Sequence, residues 1–196
     1  MPAVTSWTEV LGFATGALCV WLIVRENVWN WPAGLANNVL FFVLFFRSRL
    51  YAGMALQVVF FALGVYGWWN WLFGGEHRRE LRISRLRRAE WIALALGVPV
   101  LTAAAHRLLI AVNDASPFLD ALTTVLSLAA QYVMTQKRLE HWWLWIAANA
   151  LYAPMYWSRA LPLTAVLYAG FLLLCIAGLR RWRQSLGVTN LPPVAL

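Results

Sequence analysis

An all-α integral membrane protein with seven transmembrane helices is the fold class this sequence predicts. Three observations predict it. Of the 196 residues, 62% are hydrophobic and only 12% charged, against the roughly 25% charge of a soluble domain. The apolar residues gather into seven runs, near 6–24, 30–46, 51–73, 90–111, 118–136, 141–157 and 161–179. Each is close to the ~20 residues a helix needs to cross a bilayer core. The runs are also continuous, without the in–out alternation of a membrane β-strand, so helices follow rather than a barrel. Thirteen tryptophans add to the case, because the indole ring collects at membrane interfaces and in aromatic pockets.

Proline and charge justify the elements in turn. Pro32, Pro117 and Pro162 stand at the starts of the second, fifth and seventh runs, where a missing N–H costs nothing. Pro99 and Pro154 are interior and predict kinks in the fourth and sixth. With the N-terminus outside, the inner loops hold Arg25, six arginines in 78–88, Lys137, Arg138, Arg180, Arg181 and Arg183, twelve basic residues in all. The outer side keeps only Arg47, Arg49, Arg107 and Arg159. Positive residues favour the cytoplasmic side, so the chain reads N-out, C-in. The net charge of +8 is thereby a topology signal. The arginine-rich loop is short and bounded by spans, which argues against a nucleic-acid partner. The start has no basic n-region, so no cleavable signal is expected. Cys19 and Cys175 lie in apolar runs without a C-x-x-C partner and read as buried free thiols. Pro192-Pro193 predicts a flexible tail over 184–196.

The chain is internally repeated. Shifted by 111 residues, Glu9–Trp71 lies over Asp120–Trp182. Trp31 then falls on Trp142, Ala36 on Ala147, Asn38 on Asn149 and Leu50 on Leu161. Phe60 meets Phe171, Leu63 meets Leu174, Gly67 meets Gly178 and Trp71 meets Trp182, while Glu9 meets Asp120 in a like-charge match. The organisation is a first three-helix bundle (6–73), a connecting helix (90–111) and a second bundle (118–183). Both triplets then cross in the same sense, a parallel 3+1+3 duplication. A weak repeat with polar residues at bilayer depth is the signature of a transporter whose site lies between two halves.

Asn38 and Asn149 fall at the centres of the second and sixth runs. An unpaired carboxamide in hydrocarbon costs roughly 2–7 kcal/mol, so each needs a partner, a cavity or a ligand. An interhelical hydrogen bond and a ligand contact are both open readings; the repeat-related pairing favours the ligand. Asp120, Thr124, Ser127 and Gln131 make a polar stripe on one face of the fifth run, and such stripes face the protein interior. Trp145, Asn149, Tyr152 and Tyr156 line one face of the sixth; Gln57, Phe60, Gly64, Trp68 and Trp71 line one face of the third. An aromatic stripe is either packing or a binding wall, and the interleaved amides Gln57 and Asn149 favour a lined cavity. No Asp, Glu, Lys or Arg lies deep in any run, which predicts uncoupled, facilitative transport. His77, His106 and His141 share no ligand spacing, so no metal is expected. No P-loop appears, so ATP is not used directly. An intramembrane enzyme needs a nucleophile with a base, or two carboxylates, at one depth. Ser127 has neither nearby, so no catalytic residue is assigned.

Particular strings point further. Glu26-Asn27-Val28-Trp29-Asn30-Trp31-Pro32, Phe46-Arg47-Ser48-Arg49-Leu50-Tyr51-Ala52, Gln57 and Tyr66-Gly67-Trp68-Trp69-Asn70-Trp71 occur in the first half. Asp120, Gln131-Tyr132, Lys137, Glu140, Trp142, Trp145, Asn149 and Tyr168 occur in the second. Together, over about 6–183, they resemble the PnuC family of nicotinamide riboside transporters, departing at Gly53, where an acidic residue is expected. The resemblance implies a multi-pass facilitator of the bacterial inner membrane, with a SWEET-like 3+1+3 fold, lipid around it and trimeric assembly. It implies uptake of a vitamin or nucleoside trapped by a separate cytoplasmic kinase, with no cofactor. Carried over residue by residue, it implies a pocket of Asn38, Gln57, Phe60, Thr124, Ser127, Gln131, Trp145, Asn149, Tyr152 and Tyr168. Aromatic faces there suit a cationic pyridinium ring; amides and hydroxyls suit a carboxamide and a ribose. Riboflavin and thiamine, assigned to related members, are the alternative substrates.

Overall fold

The seven apolar runs fold as seven helices. They are α1 (Trp7–Val24), α2 (Asn30–Arg47), α3 (Tyr51–Phe73), α4 (Arg88–Ala111), α5 (Pro117–Thr135), α6 (His141–Ser158) and α7 (Pro162–Thr189). A computed structural model describes residues 7–47, 49 and 51–189. The Leu50 match of the repeat and residues 190–196 of the expected tail lie outside them, and so does the side chain of Glu9. Helix ends fall within two residues of the apolar runs, except at α7, which continues ten residues past 179. Hydropathy drops at Arg180, but Arg180, Arg181, Arg183 and Gln184 are good helix formers, and Trp182 among them is fully buried. The helix therefore outlasts the apolar run.

Four helical stretches are long and apolar enough to cross a membrane: Gly53–Phe73, Arg88–Ala111, Pro117–Thr135 and Pro162–Gly187. In α1 the apolar helix among the described residues is the shorter Ala14–Val24. Asn30, Asn37, Asn38 and Arg47 dilute α2, and His141, Asn149 and six Trp or Tyr rings dilute α6. Burial is inverted relative to a soluble protein: Leu96, Val100 and Leu108 of α4 are 66–71% exposed. Apolar surface on that scale has its proper solvent in lipid. The chain is a multi-pass membrane protein.

Two units divide it, one ending at Leu81 and one beginning at Arg82. In the first, α2 packs against both α1 and α3. Trp31, at the start of α2, is 2% exposed and meets Trp71 of α3 edge-on, with centroids 5.4 Å apart and planes at 89°. The approach works because residue 67 is glycine: a Cβ there would land inside the Trp31 ring. The α1–α2 turn passes through Glu26 at φ 56°, and the α2–α3 turn through Arg49 at φ 58°. Both are left-handed residues that end a helix sharply.

In the second unit, α5 packs on α4 and α6, and α6 on α7. Every device of the first recurs at the 111-residue offset. Trp142 meets Trp182 edge-on at 5.7 Å and 90°, over Gly178, where a Cβ would again strike the first indole. The turns pass through Lys137 at φ 50° and Ala160 at φ 56°. Even the side-chain caps correspond. Asn30 Nδ2 donates to the Asn27 carbonyl at 2.8 Å, and His141 Nδ1 lies 2.7 Å from the Arg138 carbonyl. Pro99 and Pro154 lie inside α4 and α6.

Candidate functional site

Of the anticipated pocket residues, three belong to the first unit. Asn38 on α2, and Gln57 and Phe60 on α3, are all half-buried. The amide that ties α2 to α1 is its neighbour: Asn37 Nδ2 donates to Thr15 Oγ1 at 2.6 Å. Adjacent positions on a helix point about 100° apart, so Asn37 takes the interhelical bond and leaves Asn38 on a different azimuth.

The second unit brings its residues together more closely. Ser127 of α5 is buried, and its Oγ lies 3.5 Å from the Tyr152 hydroxyl of α6. Asn149, 4% exposed, donates from Nδ2 to the Trp145 carbonyl at 2.7 Å and to Cys175 Sγ of α7 at 3.6 Å. Its amide N–H groups are thus engaged within the bundle, joining α6 to α7. Tyr152 packs on Tyr168 of α7, with centroids 4.7 Å apart. Thr124 and Gln131 sit half-buried on α5, flanking Ser127 along the helix. Asp120, the fourth member of that stripe, is in an ion pair with Arg159 at 2.7 Å.

Three residues outside the anticipated set complete this cluster. Tyr156 stacks on Tyr168 at 5.1 Å and 16°, and on Tyr152 at 5.9 Å and 23°. Phe171 stands edge-on to Tyr168 at 5.8 Å, and Cys175 accepts from Asn149. Tyr156 and Phe171 carried a signal, the first in the stripe of α6 and the second in the repeat. Cys175 carried none, because a thiol in an apolar run reads as core. At the repeat offset, Ser127, Tyr152, Tyr156 and Tyr168 correspond to Gly16, Phe41, Phe45 and Gln57. Phe41 and Phe45 pair at 5.9 Å. The scaffold is shared, but the phenols Tyr152 and Tyr156 of the second unit stand where the first has the phenyl rings Phe41 and Phe45.

His141 is structural. It is fully buried, with ring centroids 4.4 Å from Trp142 and 4.7 Å from Trp182. Asn30 makes the same carbonyl bond with an N–H, so the equivalent His141 nitrogen, Nδ1, carries the proton. Nε2 then holds a lone pair with no partner among the described residues. His141→Asn keeps the carbonyl bond and loses ring contacts worth about 0.5–1.5 kcal/mol each. His141→Ala also loses the side-chain bond to the Arg138 carbonyl, which keeps only the His141 backbone N–H at 3.3 Å, for about a further 0.5–1.5 kcal/mol. Melting temperatures should therefore fall in the order wild type, Asn, Ala. An Ala variant as stable as the Asn variant would show that the bond contributes nothing.

A helical membrane scaffold with a polar, aromatic-walled cluster defines the class of solute-handling membrane proteins. The family model described as nicotinamide mononucleotide transporter matches residues 6–184, and the chain belongs to that family. Among curated relatives, the nicotinamide riboside transporter PnuC of Escherichia coli (strain K12) is 32% identical, aligned over 92% of this chain and 86% of that one. The riboflavin/roseoflavin transporter RibM of Streptomyces davaonensis is 25% identical, over 90% and 84%. A crystal structure of the vitamin B3 transporter PnuC superposes with a TM-score of 0.73 at 24% identity, covering 93% of this chain and 83% of that one. This last likeness establishes the fold.

Proposed function

We propose that the chain is a facilitative transporter of nicotinamide riboside in the bacterial inner membrane. The observation that carries this is the relatedness to PnuC, at higher identity than to RibM, joined to the hydroxyl, amide and phenol side chains already described. A nucleoside with a cationic pyridinium ring asks for those groups: aromatic faces for the cation, and hydroxyls and amides for the ribose and carboxamide. On this reading Asn38, Gln57 and Phe60 serve from the first unit, and Thr124, Ser127, Gln131, Trp145, Asn149, Tyr152 and Tyr168 from the second. All seven helices cross the bilayer as a parallel 3+1+3 arrangement of SWEET type, N-out and C-in, and trimeric assembly remains an expectation of the family resemblance.

The uncoupled mechanism is supported by composition at depth. No Asp or Glu occurs anywhere in α2, α3, α6 or α7, so those helices offer no carboxylate to carry a proton or sodium ion. Net uptake then depends on a cytoplasmic kinase that phosphorylates the arriving nucleoside. Proteoliposomes enclosing a nucleoside kinase and ATP should accumulate labelled nicotinamide riboside well above the external concentration; without kinase they should only equilibrate. Concentrative uptake in the empty vesicles would overturn the uncoupled mechanism. Riboflavin uptake in place of nicotinamide riboside would favour the RibM-like alternative.

A further inference from the structure

From Ser84 onward, the arginine-rich segment before α4 is docked on the α5–α6 turn. Ser84 pairs with Arg138 in a parallel β-bridge: Ser84 N–H donates to the Lys137 carbonyl at 3.2 Å, and Leu139 N–H to the Ser84 carbonyl at 2.9 Å. Arg138 closes over this bridge. Its Nη1 donates to Ser84 Oγ at 2.8 Å and to the Arg85 carbonyl at 3.1 Å, and its Nη2 pairs with Glu90 Oε1 at 2.8 Å. The other Glu90 oxygen accepts the Arg87 N–H and caps α4. Glu140, 7% exposed, accepts the Leu86 N–H at 2.9 Å. One corner, the α5–α6 turn, therefore holds both the linker and the start of α4.

The repeat shows that this corner is an addition. The positions equivalent to Arg138 and Glu140 are Asn27 and Trp29. There Asn27 Oδ1 accepts the N–H of Trp29 at 2.9 Å, and Trp29 is 67% exposed. The Asn27 side chain thus bonds within its own turn, where Arg138 reaches the linker. On the other side of the linker, Leu81 N–H donates to the Trp71 carbonyl at 2.9 Å, the last tie to α3. Between that tie and the first tie at Ser84 lie Arg82 and Ile83, which enter no backbone hydrogen bond among the described residues.

We propose that Arg138, Glu140 and Glu90 form a clamp that keeps α4 and the α5–α7 bundle one rigid body through the whole transport cycle, so that the chain flexes at Arg82–Ile83. Arg138 is on this view a positioning residue for transport, acting on no substrate. Charge-assisted bonds at a partly buried corner are stronger than neutral ones, and hinges are a few residues at the edge of an element that absorb the backbone change. Two residues without backbone ties, set between two tied segments, have that form. The inference rests on the transport reading above.

The double variant Ser84→Cys/Arg138→Cys tests it. Bridge-paired backbones lie roughly 5 Å apart, within the span of a disulfide. Reduced, the variant lacks the Arg138 clamp; we expect its maximal nicotinamide riboside uptake rate to fall several-fold with KM little changed. Oxidised, it carries a covalent clamp, and its rate should return to that of the parent. Uptake that is low when oxidised and recovers on reduction would show that the corner opens during the cycle. A reduced variant as fast as the parent, a pair that does not cross-link by mass, or a rate that stays low in both states would each also overturn the clamp. Failure of the parent itself to transport would instead sink the transport reading.

Discussion

Valine at position 178 should prevent the second bundle from forming. A Cβ at Gly178 would sit inside the ring of Trp142, against Cη2, Cζ2 and Cε2, and Trp142 is 1% exposed with no room to retreat. Valine adds two further methyl groups to that collision. The indole must leave its seat, and with it goes the edge-on contact with Trp182. Loss of a buried tryptophan's packing costs about 3–5 kcal/mol, a large share of the 5–15 kcal/mol that holds most native folds together. The expected result is aggregated protein in size-exclusion chromatography, with little folded material recovered. Gly67→Val should do the same to the first bundle through Trp31. The control is on the same helix: a Cβ at Gly170 meets nothing within 4 Å, so Gly170→Ala should purify as wild type. A monodisperse Gly178→Val variant with unchanged melting temperature would show that the Trp–Gly approach is not what fastens α6 to α7.

Asn149→Leu should lose substrate while keeping the fold. Leucine is near in volume and suits the surrounding helix faces. It deletes the bonds to the Trp145 carbonyl and Cys175 Sγ, but the carbonyl keeps its place in the helix ladder and a thiol is a weak acceptor. On the proposed function, the amide oxygen of Asn149 is the group that meets the ligand. Removing a ligand hydrogen bond inside a low-dielectric site costs about 1–3 kcal/mol, or roughly ten- to a hundred-fold in Kd. Binding titrations and melting curves on the same sample separate the two effects. Unchanged affinity would leave Asn149 as an α6–α7 fastener alone.

The helices were legible because a bilayer enforces a sharp rule: hydropathy must last about twenty residues and then stop. Six of the seven helices stop where hydropathy does. α7 does not, because helix propensity and Trp182's burial continue after Arg180 ends the apolar run. The repeat was legible as matched letters, and the structure gives those letters a reason in the Trp–Gly approach and the left-handed corners. Finer choices were not. Which of two adjacent asparagines faces α1 depends on the azimuth of α2, and the repeat alignment could single out only Asn38. That Asn149 bonds back to its own helix is a rotamer-level outcome no spacing encodes. The clamp was hidden for another reason. Arg138 was one cation in a charge count, and its partners Ser84 and Glu90 lie 54 and 48 residues away in the chain.

Each bundle closes with its own aromatic wedge, and that has a consequence for biogenesis. The residues of the first wedge, Trp31, Gly67 and Trp71, all emerge from the ribosome before any part of the second is synthesised. Domains of a nascent chain generally fold as units, the N-terminal one first. The leading half can thus lock its tryptophan while the trailing half is still in the exit tunnel or insertion machinery, which shortens the time its polar Asn37 and Asn38 stand unsheltered in lipid.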